Sequence, residues 1–188
     1  MTKLEAINSM LRSVQAMDIA ALPETSPETP ISYEAQVAID IFNRVNKQVQ
    51  IEGYSFNTRV YEISPDTNGY IWLPSNTLRA DATDPTKDYI VREGKLYDLK
   101  ENTYVFKQPV EISVVEEVPF ENLPVPAQEL VLVLATRKYQ TQIYGSEILN
   151  QFTLQEERDA RIQLKVYEAR TRDANVLRNV EIMRAFRR

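Results

Sequence analysis

PVPAQELVLVLATRKYQTQIYGSEILNQFTLQEERDARIQLKVYEARTRDANVL, residues 124–177, decides the fold, because it reads as two helices joined by a short break. After Pro126 the apolar residues Leu130, Val133, Leu134, Ile143 and Tyr144 recur at helical spacing, while Arg137, Lys138 and Gln142 fall elsewhere. Gly145 takes a left-handed conformation without steric penalty, so the first helix is expected to stop there. Thr153 opens Thr-Leu-Gln-Glu, the pattern of a capping box in which Thr153 caps and Glu156 reaches back. The second helix then carries Ala160, Leu164, Tyr167, Thr171 and Ala174 three and four apart. Its acidic start (Glu156, Glu157, Asp159) and basic end (Arg170, Arg172) both complement the helix dipole. Leu134 and Leu164 are expected to be buried in the two facing helices.

A hairpin with one apolar stripe per helix needs partners. The N-terminal part supplies them. Leu4, Ile7, Leu11 and Val14 predict a first helix with Thr2 as its cap. The proline-rich ALPETSPETP at 21–30 cannot be helical throughout and reads as an ordered loop. Ser32 caps a second helix with Val37, Ala38, Ile41, Phe42, Val45 and Val49 on one broad face, and Gly53 fits its end. Between 54 and 123 the texture changes. FNTRVYEI, GYIWLP, DYIVR, KLYDL, TYVF and VEISVV are short, β-branched and aromatic, and are separated by turn signals at 65–69, 84–85, 93–95 and 100–102. Alternation in Arg59-Val60-Tyr61-Glu62-Ile63 and Glu111-Ile112-Ser113-Val114 predicts a small antiparallel sheet with one wet face. The expected fold class is α+β: a bundle of about four helices with an inserted small antiparallel β domain. The expected division is 1–53 for the N-terminal bundle helices, 54–123 for the β-rich insertion, 124–177 for the helical hairpin, and 178–188 for a C-terminal tail.

The composition narrows the function. Of 188 residues, 43% are hydrophobic and 26% charged, the balance of a water-soluble globular chain, and the net charge is −5. There is no Cys and no His. Disulfides and thiolate chemistry are therefore excluded, and the commonest general base and transition-metal ligand are missing. No cofactor is expected. No segment approaches the roughly 18 consecutive apolar residues of a membrane helix. The N-terminal MTKLEAINSMLRSV is amphipathic and does not read as a signal peptide.

Candidate chemistry thins out on inspection. Adjacent Glu156 and Glu157 on a helix point about 100° apart and do not converge on one substrate atom. Glu116 and Glu117 lie near a strand end, where neighbours point to opposite faces. Tyr54, Phe56, Tyr61, Tyr70 and Trp72 would suit a sugar- or base-stacking platform, yet only Arg59 lies near them in sequence, so core and interface packing is the expectation. The glycines at Gly69 and Gly94 serve turns. The C-terminal tail is different: residues 170–188 hold six Arg against Asp173 and Glu181. Val176, Leu177, Val180 and Met183 recur there at helical spacing. The partner-binding candidates are Val180, Met183, Arg184, Phe186, Arg187 and Arg188, forming a docking segment expected to be mobile in the free subunit and ordered against a partner.

The runs YIVREGKLYDLKENTYVF (89–106) and VEISVVEEVPFENLPVPAQELVLVLATRKYQTQIYGSEILNQFTLQEERDARIQLKVYE (110–168) resemble the tail tubular protein A family, the head-to-tail adaptors of short-tailed bacteriophages. LEAINSMLRSV (4–14) and FNRVNKQVQIEGYSFN (42–57) fit the same pattern. The specific part is the combination of a Gly-centred hairpin at 92–97, the helix end at 139–145, and the Leu154-Gln155-Glu156-Glu157 helix start. The loop at 21–30 and the tail past Val176 depart from it. The resemblance implies a non-enzymatic structural protein, a homo-oligomer in a dodecameric ring between the capsid portal protein and the tail nozzle protein. It further implies tail fibres attached near the same junction, and DNA passing through the lumen without sequence-specific binding. It places the protein in the virion, at the head-tail junction of the tail, made in the host cytoplasm and touching no membrane. Two other classes compete: a carbohydrate-active tail protein using Glu or Asp pairs, and a monomeric helix-bundle interaction module. Because no helix reads as apolar on all sides, the isolated subunit is expected to stay monomeric and to form its ring on the portal.

Overall fold

The computed structural model describes residues 1–25, 30–145 and 147–178. The fold is α+β, and the chain divides into two compact units. A helical unit takes Met1–Val49 and Pro119–Arg188, and a β unit takes Gln50–Val118.

In the helical unit, helix α1 (Lys3–Arg12) opens with a complete capping box. The Thr2 hydroxyl accepts from the Glu5 amide at 3.2 Å, and the Glu5 carboxylate accepts from the Thr2 amide at 2.8 Å. Its buried stripe is Ala6, Ile7, Met10 and Leu11. Leu4, expected at its centre, is only half-buried, because the stripe runs one position further round. Helix α2 (Tyr33–Gln50) begins with the Ser32 hydroxyl accepting from the Ala35 amide, and its expected face of Val37, Ala38, Ile41, Phe42, Val45 and Val49 is buried throughout. Phe42 meets Phe120 edge to face, with ring centroids 4.9 Å apart.

Helix α3 (Val125–Tyr144) ends at Gly145, whose φ of 60° is the left-handed cap conformation. Helix α4 (Glu147–Arg178) packs against it. Two expectations need correction here. Thr153 lies inside α4, not at its start. The residues from Glu147 to Phe152 contain neither Gly nor Pro, so nothing halts the helix, and an interior Thr costs it well under about 1 kcal/mol. The core face of α3 is also rotated: Ala127, Leu130, Val131, Ala135 and Tyr139 are buried, whereas Leu134, Val133 and Ile143 are half-buried and Tyr144 is exposed. The reason is composition. Leu130, Val131, Leu132, Val133 and Leu134 encircle one turn of α3, so its periodicity there cannot fix one face. Beyond that turn, exposed Glu129, Lys138, Thr141 and Gln142 keep α3 from being apolar on all sides. Leu164 is fully buried at 1% exposure. Leu164→Ala should therefore cost roughly 2–5 kcal/mol in urea melts, and Leu134→Ala about 1 kcal/mol. Equal losses would place Leu134 in the core after all.

The β unit holds two antiparallel sheets. Strands β1 (Thr58–Ile63), β2 (Thr77–Ala82) and β5 (Val110–Glu116) form one in the order β1-β5-β2, and β3 (Tyr89–Arg92) pairs with β4 (Lys95–Asp98) in the other. The β3–β4 turn is the two-residue Glu93-Gly94, with φ of 52° and 72°. Positive φ at both central positions is the hairpin turn that matches strand twist, and Gly94 lowers its cost. GYIWLP does not become a full strand. It lies along β4 through the Trp72–Lys95 bridge, with Leu73 N donating to Gly94 O at 3.0 Å and Leu96 N to Ile71 O at 2.9 Å. TYVF is likewise reduced to a bridge between Thr103 and Asp98. Strand β2 went unforeseen, since its Asp81 and two Ala are poor strand formers and only Ala80 is buried. One core of Ile71, Ala80, Tyr89, Leu96, Phe106, Ile112 and Val114 unites both sheets.

The first and last residues of this unit are clamped together. Gln50, fully buried, donates from Nε2 to Val118 O at 3.0 Å and accepts from Val118 N at 2.8 Å. Beside it, buried Asn57 donates to Gln50 O at 2.9 Å and to Glu116 O at 3.1 Å, and accepts from Tyr54 N at 2.8 Å. An Ala at 57 strands these backbone groups, so Asn57→Ala is expected to destabilise the β unit by about 2 kcal/mol. Trp72, the single Trp, reports that unfolding by its fluorescence. A loss within a few tenths of a kcal/mol would show the clamp to be dispensable.

Candidate interaction surfaces

Two of the carboxylates weighed for chemistry, Glu157 and Glu116, have structural partners. Glu157 on α4 accepts from Arg137 on α3 at 2.5 Å and from Arg161 at 3.0 Å. Burial raises its pKa, but the hydrogen bonds and charges of the two guanidinium groups outweigh that and hold it below the usual value of 4.5. A carboxylate with a lowered folded pKa stabilises the fold above its unfolded pKa and loses that contribution as pH falls through the folded one. The stability gap between the parent and Glu157→Gln should therefore be full near neutral pH and close as pH drops below about 4.5. A gap independent of pH would contradict the pairing. Glu156 is exposed beside it, so the two carboxylates face apart as expected. Glu116 accepts from the Tyr61 hydroxyl at 2.7 Å.

A cleft of about 720 Å³ in the β unit is lined by both signs of charge, including Asp84, Lys87, Asp98, Glu101, Lys107 and Glu111. Its carboxylates also hold turns: Asp84 accepts from the Thr86 amide and hydroxyl, and Asp98 from the amides of Lys100 and Glu101. Among the described residues, no three His, Cys, Asp or Glu side chains are placed to hold a metal ion.

The aromatic residues do not gather into one platform. Tyr54 and Phe56 stack on each other at 5.3 Å, and Tyr61 bonds to Glu116. Tyr70 and Trp72 belong to a different cluster, one that sequence reasoning missed. The hairpin brings Lys95 over the rings of Tyr70, Trp72 and Tyr104, with Nζ 4.9, 5.1 and 5.3 Å from their centroids. Next to it, the Arg92 guanidinium lies 4.2 Å from the centroid of Tyr97, which meets Tyr104 edge to face. The cations that Tyr70 and Trp72 lacked in sequence arrive through strand pairing. Arg92 and Lys95 flanking Glu93-Gly94 were the available signal.

On the helical unit, the face of α4 opposite Ala160 and Leu164 exposes Ile162 and Val166, at 57% and 43%, between charged neighbours. Leu154 continues the exposure toward the start of the helix. Val180, Met183, Arg184, Phe186, Arg187 and Arg188 lie outside the described residues.

Comparison with known proteins gives the family. The model of the family described as "Tail tubular protein" matches residues 4–174, across both units. The chain belongs to the tail tubular protein family. It is 29% identical over 124 residues to "Tail tubular protein A" of Klebsiella phage KP34, covering 66% of this chain and 63% of that protein. The chain thus spans less than two thirds of the length of that curated relative. As a tail tubular protein it is a structural component of the virion tail. No helix among the described residues is long and apolar enough to cross a membrane.

Proposed function

We propose that this tail tubular protein is a head-to-tail adaptor: copies form a ring that joins the capsid portal to the tail nozzle and lets DNA pass through. The observation that carries the reading is apolar surface left uncovered on the helical unit. Helix α3 is apolar all round over the turn 130–134 yet leaves Leu132, Val133, Leu134 and Ile143 only partly covered, and α4 turns Ile162 and Val166 outward. Burying a fully exposed side chain of this kind against another subunit is worth roughly 1.5–3 kcal/mol, and a partly covered one correspondingly less. A ring requires two different surfaces on each subunit, and its closure is set by the angle between them. In this reading the helical unit makes the lateral contacts and the tail at 178–188 reaches the portal. The β unit meets nozzle or fibre proteins, and the ring has twelve copies. The action is mechanical, with no reaction and no cofactor. The test is the native mass of the purified protein, alone and mixed with cognate portal rings. A closed oligomer of fixed copy number on the portal supports the reading, and a protein that stays monomeric and unattached in both samples overturns it.

A further inference from the structure

The cleft of the β unit has in its wall a carboxylate and a phenol with acceptor capacity to spare. Asp98 is 5% exposed and Tyr89 7%, and both line the cleft. A carboxylate buried to this degree is normally paired. Asp98 Oδ1 accepts from the amides of Lys100 and Glu101, at 2.9 and 3.0 Å, which holds the turn after β4. Among the described residues, its Oδ2 accepts no hydrogen bond, the Tyr89 hydroxyl has no hydrogen-bond partner, and Asp98 joins no ion pair. Burial, and then the Asp98 and Asp84 carboxylates, raise the Tyr89 pKa above 10.0. The phenol is therefore neutral near pH 7 and stands close to both carboxylates.

The rest of the lining narrows the ligand. In the cleft Asp84, Asp98, Glu101 and Glu111 outnumber Lys87 and Lys107, which favours a cation. A bare metal ion does not suit it, because among the described residues no three acidic side chains are placed to hold one. Phe106 and Pro109 add apolar wall, and Phe106 meets Tyr89 edge to face with ring centroids 5.5 Å apart. A guanidinium answers each of these features. Its planar fork carries N–H donors and no acceptor, so it donates to a carboxylate and a phenol oxygen together. It is more weakly hydrated than an ammonium, which lowers the cost of leaving water. The aliphatic stem behind it packs on apolar surface.

We propose that this cleft receives an arginine side chain of a partner protein, its guanidinium donating to Asp98 Oδ2 and to the Tyr89 hydroxyl and its stem lying against Phe106. The inference rests on the adaptor reading only in that the β unit then meets a partner protein able to supply the arginine. A titration with a small molecule needs neither ring nor portal, so failure of the pocket and failure of the adaptor reading are told apart. The probe is Nα-acetyl-arginine methylamide, added to the isotope-labelled full-length protein. The amide resonances of Lys100 and Glu101, the two donors to Asp98, report on it. Saturable shifts of both are expected, with none from the citrulline analogue, which keeps the shape of arginine and loses its charge. Asp98→Asn keeps an oxygen for the two amides and removes the charge, so binding should weaken about tenfold or more while the rest of the spectrum stays that of the parent. Tyr89→Phe removes only the hydroxyl and should weaken binding about threefold. No saturable shift, equal shifts from the citrulline analogue, or parent affinity in both variants overturns the proposal. Equal binding of the lysine analogue also overturns it, making the cleft a general cation site, as does a response to Mg²⁺ with none to the arginine probe.

Discussion

Removing residues 179–188 is expected to abolish stable attachment to portal rings while leaving the thermal unfolding of the subunit nearly unchanged. The segment carries Val180, Met183 and Phe186, three side chains that a solvated end does not need. Burying each on a partner stabilises the complex by roughly 1.5–3 kcal/mol, and losing all three at once removes several decades of affinity. Arg184, Arg187 and Arg188 add a local positive charge to a chain of net charge −5, which serves orientation more than strength. Replacing these three with Glu should weaken attachment, and the marked salt dependence of the parent should disappear. Co-sedimentation with portal rings at two salt concentrations measures both effects. Normal attachment and infectious particles from the truncated protein would reduce the tail to a free end.

The second large effect belongs to the helical unit. Ile162→Glu with Val166→Glu should prevent ring formation yet leave the subunit folded. Both side chains point away from the buried face that holds Ala160 and Leu164, so the variant removes nothing from the core. At a subunit contact, by contrast, each new carboxylate would be buried without a partner, and that penalty exceeds the burial it replaces. Native mass measurement with portal rings should show monomers only, at an unchanged melting temperature. Rings of normal size from this variant would move the lateral contact to α3.

How much of this was legible beforehand depended on whether a signal was local. Caps and stops were readable because each is a short-range steric fact: Thr2 with Glu5, Ser32 before α2, Gly145 after α3, Glu93-Gly94 between β3 and β4. The face of α2 was readable because its apolar residues occupy one side. The face of α3 was not, since Leu and Val occupy several sides and only the neighbours decide which are covered. Thr153 misled because a capping pattern inside a continuous helix looks the same in sequence as one at its start. Strand β2 was hidden by Asp81 and its alanines, and it forms because β5 offers it a partner. The aromatic cluster needed long-range pairing: Lys95 stands far along the chain from Tyr70 and Trp72 and reaches them only across the strand bridge. The buried amides of Gln50 and Asn57 escaped notice for the same reason, their partners being distant backbone groups at Val118 and Glu116.

The central claim, that copies of this tail tubular protein form a ring on the portal, is tested most directly by electron microscopy of purified portal rings incubated with the protein. The account predicts an added layer of closed symmetry on one face of every portal, with the same copy number throughout and an open axial channel. Bare portals beside free monomers, or a single copy bound without symmetry, would contradict it.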